Sequence, residues 1–348
     1  MPYILKKICY AFLVLLGVVV LVFIMFQGFG DPARMIVGQT GDKKTLDNIR
    51  SELYLDQPKW KQFVLYVNDV SPICIHSKAD IEKKQLKGFF IGGNTKLGLK
   101  IPYLRKSYQT KKEVAEVLME ALPGTLILAL TAMLFATVVG IFLGVTAAIK
   151  KDTWLDGTAV FSSIAGISAP SFFMAIIIAF LFGVVLHNYT GLNLTGSWFA
   201  IDEVTGEKYL VFKNLILPAF TLGIRPLAII TQLTRSSMLD VLSQDYIRTA
   251  YAKGLSKKVI VYKHGLRNAL NPVITAITGW FAELLAGAFF VEYIFGWKGI
   301  GKITVDALEK LDYPVVMGSV LLSACIFIFI NFFADAFYRL VDPRIKAL

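Results

Sequence analysis

The apolar positions of this chain fall in long unbroken blocks, not at the spacing of a soluble core. From Ile8 to Gly30 no residue is ionised, and Ile8–Phe26 is almost purely apolar. Ala121–Ile149 is a second charge-free run. Gly157–Ile201 is a third, and its membrane part ends near Leu186, before the polar stretch His187–Trp198. Leu215–Leu233 forms a fourth block, broken by Arg225; Leu270–Val291 a fifth, broken by Glu283; Pro314–Ala334 a sixth. A helix needs about 20 residues to cross a bilayer, and none of the blocks alternates as a barrel strand would. The pattern predicts an all-α polytopic membrane protein with six transmembrane helices. The first block follows Lys6 and Lys7 as a signal peptide would. Its run is too long for a signal h-region, however, and Phe29-Gly30-Asp31-Pro32 is a poor cleavage site, so it is read as a retained span.

Two polar segments interrupt the blocks. Residues 28–116 carry Trp60 and Tyr66 among lysines and aspartates and are expected to form a small extracytoplasmic domain inserted after the first span. The organisation predicted is therefore 1–27 as cytoplasmic N-terminus and first helix, 28–116 as the outer domain, and 117–348 as a five-helix core. The second polar segment, 234–269, is a basic loop within that core. In it, Gln244–Lys253 is a run of good helix formers that Gly254 stops, and Ser256 is placed to cap a second helix beginning near Lys257. No internal repeat or low-complexity tract appears.

Composition agrees. Of 348 residues 55% are hydrophobic and only 18% charged, where a soluble protein carries about a quarter; mean hydropathy is +0.60. The net charge of +11 is a matter of membrane topology before it is one of nucleic acid. With six spans both termini lie on one side. The short segments there hold fourteen basic residues: Lys6, Lys7, Lys150, Lys151, Arg235, Arg248, Lys253, Lys257, Lys258, Lys263, Arg267, Arg339, Arg344 and Lys346. The short opposite loops hold five: Lys208, Lys213, Lys298, Lys302 and Lys310. The positive-inside rule then puts both termini in the cytoplasm. Cys9, Cys74 and Cys325 make neither a disulfide framework nor a metal spacing.

Hydrolytic chemistry has no visible carrier. His76, His187 and His264 are scattered, without partners at metal-binding spacing, and there is no Gly-x-Ser-x-Gly elbow. Gly296-Trp-Lys-Gly-Ile-Gly301-Lys302 satisfies seven positions of a P-loop, but Ile303 stands where the Mg²⁺-holding hydroxyl belongs. The segment also falls on the outer face, where ATP is not supplied, so a glycine-rich connection between spans is the better reading. Such a chain moves or organises something without an energy source of its own. The loop 234–269 is then either a lever driven by a cytoplasmic partner or a basic helix resting on anionic lipid.

Asp245-Tyr-Ile-Arg-Thr-Ala-Tyr-Ala-Lys-Gly-Leu255, followed by His264-Gly-Leu-Arg-Asn-Ala-Leu-Asn-Pro272, resembles the EAA loop of ABC importer permeases, in particular those of the dipeptide/oligopeptide/nickel group. Leu233-Thr-Arg-Ser-Ser-Met-Leu239, Ser168-Ala-Pro-Ser-Phe-Phe173, Val291-Glu-Tyr-Ile-Phe295 with Gly299-Ile-Gly301, Asp312-Tyr-Pro-Val-Val-Met-Gly318 and Asp342-Pro-Arg-Ile345 are similar to that group in the same order. So are Asp31-Pro32 and Leu55-Asp-Gln-Pro58. The stretch from about Ser71 to Tyr108 has no match. Arg248 and Thr249 stand where other permeases carry the loop's glutamate and alanine, which is the usual form in this group.

The resemblance implies a non-catalytic subunit of an ATP-driven importer of oligopeptides or dipeptides, working by alternating access in a bacterial plasma membrane. It implies a second, homologous permease, two cytoplasmic ATPases that bind ATP and Mg²⁺, and an extracytoplasmic binding protein; this chain itself binds no cofactor or metal. The loop residues implied in ATPase coupling are Asp245, Tyr246, Arg248, Thr249, Ala250, Ala252, Lys253, Gly254, Leu255 and Arg267. Arg225 and Glu283 depart from the group, which carries uncharged residues there. A mid-span charge costs on the order of 3 kcal/mol and normally faces a partner or a watery path. Either the two form a structural pair or touch another subunit, or they line the translocation path and hold a peptide's terminal charge. Ser168 and Pro170 are further pathway candidates, since Pro170 leaves a backbone carbonyl unpaired in the third span. A nickel or other small-solute permease is the nearest alternative. A secondary transporter with Arg225, Glu283 and Asp335 as an ion relay is a different one, but it should show inverted repeats, and a membrane-anchored scaffold or sensor would not need six spans.

Overall fold

A computed structural model describes residues 2–28, 33, 46, 47, 50, 54–202 and 205–341. Asp31-Pro32 and Asp342-Pro-Arg-Ile345 lie outside the described residues, as does the side chain of Asp335. The chain divides into two compact units: Met1–Glu120 with Asp306–Ala324, and Ala121–Val305 with Cys325–Leu348.

In the first unit, helix α1 (Pro2–Gly28) is followed by α2 (Lys59–Val70), β1 (Ile73–Ser77), α3 (Lys78–Lys84), β2 (Gly88–Gly92) and β3 (Thr95–Lys100). The three strands form an antiparallel sheet in the order β1-β3-β2, a sheet not anticipated from the sequence, which suggested only a small domain. Ser77 caps α3 by accepting from the Asp80 N–H, 3.1 Å, the role serine performs at a helix start. Val19 and Val22 of α1 share one apolar cluster with Tyr66 of α2 and with Tyr313, Met317 and Leu321. Under that cluster, Asp312 is 3% exposed and accepts from Ser107 Oγ at 2.5 Å, the Tyr108 N–H at 2.9 Å and the Gln109 N–H at 3.4 Å. The Asp-Tyr-Pro motif is thus a clasp that closes the loop 105–111 onto the start of the last long helix.

The second unit is built from α4 (Val114–Ile149), α5 (Trp154–Ser168), α6 (Ser171–Phe180), α7 (Lys213–Leu242), α8 (Asp245–Ala252), α9 (Arg267–Gly287), α10 (Phe289–Ile294), α11 (Ile300–Glu309) and α12 (Tyr313–Val341), the first and last of these beginning in the other unit. A short hairpin, Phe199–Ile201 with Lys208–Leu210, joins α6 to α7. Small residues let these helices approach closely, as membrane packing requires. A Cβ on Gly144 would sit 2.7 Å from the Thr231 carbonyl oxygen, and one on Gly223 2.9 Å from that of Ala132.

Among the described residues, four helices are long and apolar enough to cross a membrane: α1 over Leu5–Met25, α4, α7, and α12 over Tyr313–Ala334. A fifth candidate is α5 with α6 and its extension to Val185, bent by 108°. The expected third span is therefore broken and not merely kinked. Pro170 donates no hydrogen bond, and it holds Ala169 in an extended conformation (φ −81°, ψ 131°), which stops one helix before the next begins. The block read as a fifth span falls on α9, 21 residues long, which is not among the helices long and apolar enough to cross a membrane. It contains Asn268, Asn271 and Glu283 and does not qualify as membrane-spanning on composition alone.

Candidate functional site

Three constructions in the second unit carry the residues singled out above. The first is the basic loop. Helix α8 is seated by one face only: Ile247 and Ala250 are buried and pack on Ile260 and Leu242. Asp245, Tyr246, Arg248, Thr249 and Ala252 are exposed, as are Lys253, Gly254 and Leu255 beyond it. The helix ends as its sequence predicts. Gly254 adopts φ +75°, the Leu255 N–H donates to the Ala250 carbonyl at 3.3 Å, and the Gly254 N–H donates to that of Tyr251 at 2.9 Å. This is the left-handed C-terminal cap that favours glycine. Asn268 Nδ2 braces the outer face by donating to the Tyr246 hydroxyl at 3.0 Å, while Arg267, beside it at the start of α9, is exposed.

The second predicted helix of the loop starts at Lys257, as expected, but Ser256 contributes its backbone carbonyl, which accepts from the Ile260 N–H at 3.0 Å. Over Val259–Leu266 the helix widens to π geometry, a form found mostly at functional places. There Ile260 reaches the α8 seat and Val261 packs with Met238 and Val145. Of the residues that the resemblance implies in coupling, Ala250 is buried with its neighbour Ile247, and Asp245, Tyr246, Arg248, Thr249, Ala252, Lys253, Gly254, Leu255 and Arg267 are exposed.

The second construction is a cavity of about 120 Å³ among α5, α6, α7 and α9. Arg225 and Glu283 both line it, with Ala169, Ser171, Thr221 and Trp280. The Arg225 guanidinium carbon lies 5.7 Å from the centre of the Trp280 ring, a cation–π distance. Among the described residues no ion pair joins Arg225 to Glu283. Ser168 and Pro170 do not line the cavity, and the Ser168 hydroxyl donates to the Ile164 carbonyl of its own helix at 2.8 Å.

The third is the glycine-rich segment 296–302. The N–H groups of Gly301 and Lys302 at its end serve a carboxylate of the protein itself. Glu292 is fully buried and accepts from Thr125 Oγ1 at 2.7 Å, from the Lys302 N–H at 3.2 Å and from the Gly301 N–H. The Thr125 hydroxyl in turn accepts from the Ile300 N–H at 2.9 Å, and Trp297 Nε1 donates to the Gly124 carbonyl at 2.9 Å. A Cβ on Gly301 would lie 2.5 Å from Phe289 Cα and 2.9 Å from Glu292 Oε2, so the glycines are needed for close approach to that carboxylate. Glu292 escaped the sequence reading, although its position at the end of an apolar block before glycines 296, 299 and 301 was a usable signal. Also unforeseen is the forked pair of Arg235 with Asp156, whose second hydrogen bond, Nη2 to Oδ2, is 2.6 Å; it ties α7 to the start of α5.

Residues 140–347 match the family described as binding-protein-dependent transport system inner membrane component, and residues 1–129 match its N-terminal domain. The chain belongs to this family and is a non-catalytic membrane permease subunit of the ABC importer class. It is 32% identical over 360 residues to the dipeptide transport system permease protein DppB of Alkalihalophilus pseudofirmus, covering 99% of each chain. It is 33% identical over 345 residues to the glutathione transport system permease protein GsiC of Escherichia coli, covering 99% of this chain and 98% of the other. Over 254 residues it is 44% identical to DppB of Haemophilus influenzae, covering 69% of this chain and 76% of the relative. Among solved structures, a chain of the inward-facing MetNI methionine ABC transporter superposes with a TM-score of 0.50 at 18% identity, over 66% of this chain and 97% of that one, a likeness of fold alone.

Proposed function

We propose that this protein is one of two transmembrane subunits of an ATP-driven importer of short peptides. Identity of 32–33% over nearly the full length of a dipeptide permease and a glutathione permease supports the substrate class. The observation that carries the mechanism is the one-sided seating of α8. A short helix anchored through Ile247 and Ala250, with its remaining face open, is built to receive another protein. ATPase subunits docked there would push on α8, and the π-helical segment and α7 packed behind it would pass that motion to the spans. The result is alternating access. The excess of basic residues in the short segments around this loop supports a cytoplasmic position for it and for both termini. Residues 28–116 then face the outside, where a binding protein delivers the peptide, next to a second permease.

The test is recovery of partners and function together. A C-terminally tagged chain, solubilised mildly from its own membranes, is expected to bring down a second permease and P-loop ATPases. The assembly in liposomes should then take up dialanine only with ATP and a binding protein. Recovery of this chain alone, active without ATP, would overturn the proposal.

A further inference from the structure

The cavity among α5, α6, α7 and α9 holds two opposite charges that do not neutralise each other. Arg225 lies against the Trp280 ring and Glu283 has no partner among the described residues. Each mid-span charge costs on the order of 3 kcal/mol to place, and an internal ion pair would have been the simplest compensation. The cavity wall adds a third polar element. Because the chain breaks at Ala169–Pro170, helix α6 starts at the cavity, with Ser171 and Met174 on its lining. The first intrahelical acceptor there is the Pro170 carbonyl, taken by the Met174 N–H at 3.1 Å. The N–H groups ahead of Met174 therefore face outward from the first turn, where helices favour negative charge. Arg225 and the α6 start form a place for a carboxylate, and Glu283 a place for an ammonium group.

We infer that this cavity is a binding subsite for the zwitterionic backbone of a di- or tripeptide, its carboxylate held by Arg225 and its ammonium by Glu283. The inference rests on the peptide-import reading above and adds a length limit to it. A cavity of about 120 Å³ is smaller than the roughly 150 Å³ that accommodates benzene in an engineered protein core. It takes the two charged ends of a short peptide, with the rest of the peptide in the open mouth. At no more than about 3.5 Å per residue, a dipeptide spans about 7 Å and an extended pentapeptide about 17 Å. Only a short peptide brings both termini to one such cavity.

The experiment uses the complete transporter in liposomes with its binding protein. It compares uptake of dialanine and pentaalanine by wild type, Arg225→Gln, Arg225→Lys and Glu283→Gln. Subunit recovery and binding-protein-stimulated ATP hydrolysis serve as controls. Arg225→Gln and Glu283→Gln are expected to lower dialanine uptake by about tenfold or more, the range for losing a charge-assisted hydrogen bond. Pentaalanine uptake should fall less than about threefold, the controls should not move, and Arg225→Lys should keep a larger share of dialanine uptake than Arg225→Gln. Unchanged dialanine uptake in both glutamine variants would overturn the subsite while leaving peptide import standing. Equal losses for both peptides, or loss of subunits or of ATPase stimulation, would assign the two charges to assembly and overturn it as well. A wild-type transporter that imports neither peptide would remove the peptide reading itself, and the subsite with it.

Discussion

Removing the carboxylate of Glu292 is the sharpest test of how the glycine-rich segment of the second unit is held. In Glu292→Ala, three donors lose their acceptor in a region closed to water: the Thr125 hydroxyl and the N–H groups of Gly301 and Lys302. A hydrogen bond to a charged group contributes about 1.5–3 kcal/mol, and each stranded buried donor carries a desolvation penalty of similar size. The expected loss is therefore on the order of 5 kcal/mol, before any cavity effect. Glu292→Gln keeps the shape and one acceptor oxygen, but turns an NH₂ group toward other donors, so about 2 kcal/mol is expected. By the usual conversion for a unit of this size, the alanine variant should melt on the order of 10 °C below wild type. Intrinsic tryptophan fluorescence suits the measurement, since Trp297 is buried beside the same loop. Detergent and scan rate are held fixed because such melts are kinetic. The order wild type, Gln, Ala is the prediction. An alanine variant that melts within a degree or two of wild type would refute the view that this carboxylate organises the segment.

Three further outcomes follow from local geometry. Gly254 has no neighbour within 4 Å of an added Cβ, so within this chain its substitutions act through backbone conformation. Gly254→Asn should couple ATP hydrolysis to uptake almost normally, whereas Gly254→Val, costing about 1–2 kcal/mol or more at φ +75°, should reduce coupling; equal behaviour of the two would contradict this. Asp312→Ala should speed tryptic cleavage at Lys106, Lys111 and Lys112 several-fold by releasing the Ser107–Gln109 clasp, with Asp312→Asn intermediate, as read by peptide mapping. Burial, with nearby Lys84 adding to it, holds the His76 imidazole below its ordinary pKa. A depressed folded-state pKa means that its contribution to stability is complete above about pH 6.5 and is lost as pH falls through the lowered value. Amide exchange in β1–β3 should therefore accelerate on acidification, after correction for the intrinsic rate, and less so in His76→Gln.

Much of this architecture is written locally. Charge-free blocks mark membrane helices because a bilayer core offers backbone groups no water, and four long helices and one broken one lie where such blocks were read. The end of α8 at Gly254 was also legible, since a single residue type meets the left-handed cap. The two charges in spans four and five stood out for the same reason, being costly wherever they sit. Other features depend on residues distant in sequence. The clasp on Asp312 reaches Ser107 across 205 positions, and the Glu292 cage reaches Thr125 across 167. A buried carboxylate announces only that donors must exist; which donors supply them is decided when helices pack. Likewise, sequence alone left Arg225 and Glu283 free to meet lipid headgroups, another subunit or one another. The packing of α7 against α9, and the turn that Pro170 imposes between α5 and α6, put both on one cavity wall beside Trp280. The sequence by itself determined four long apolar helices, the glycine cap and the family. Only the tertiary structure decided which charges share a space, because that depends on where packed helices cross and not on any single helix.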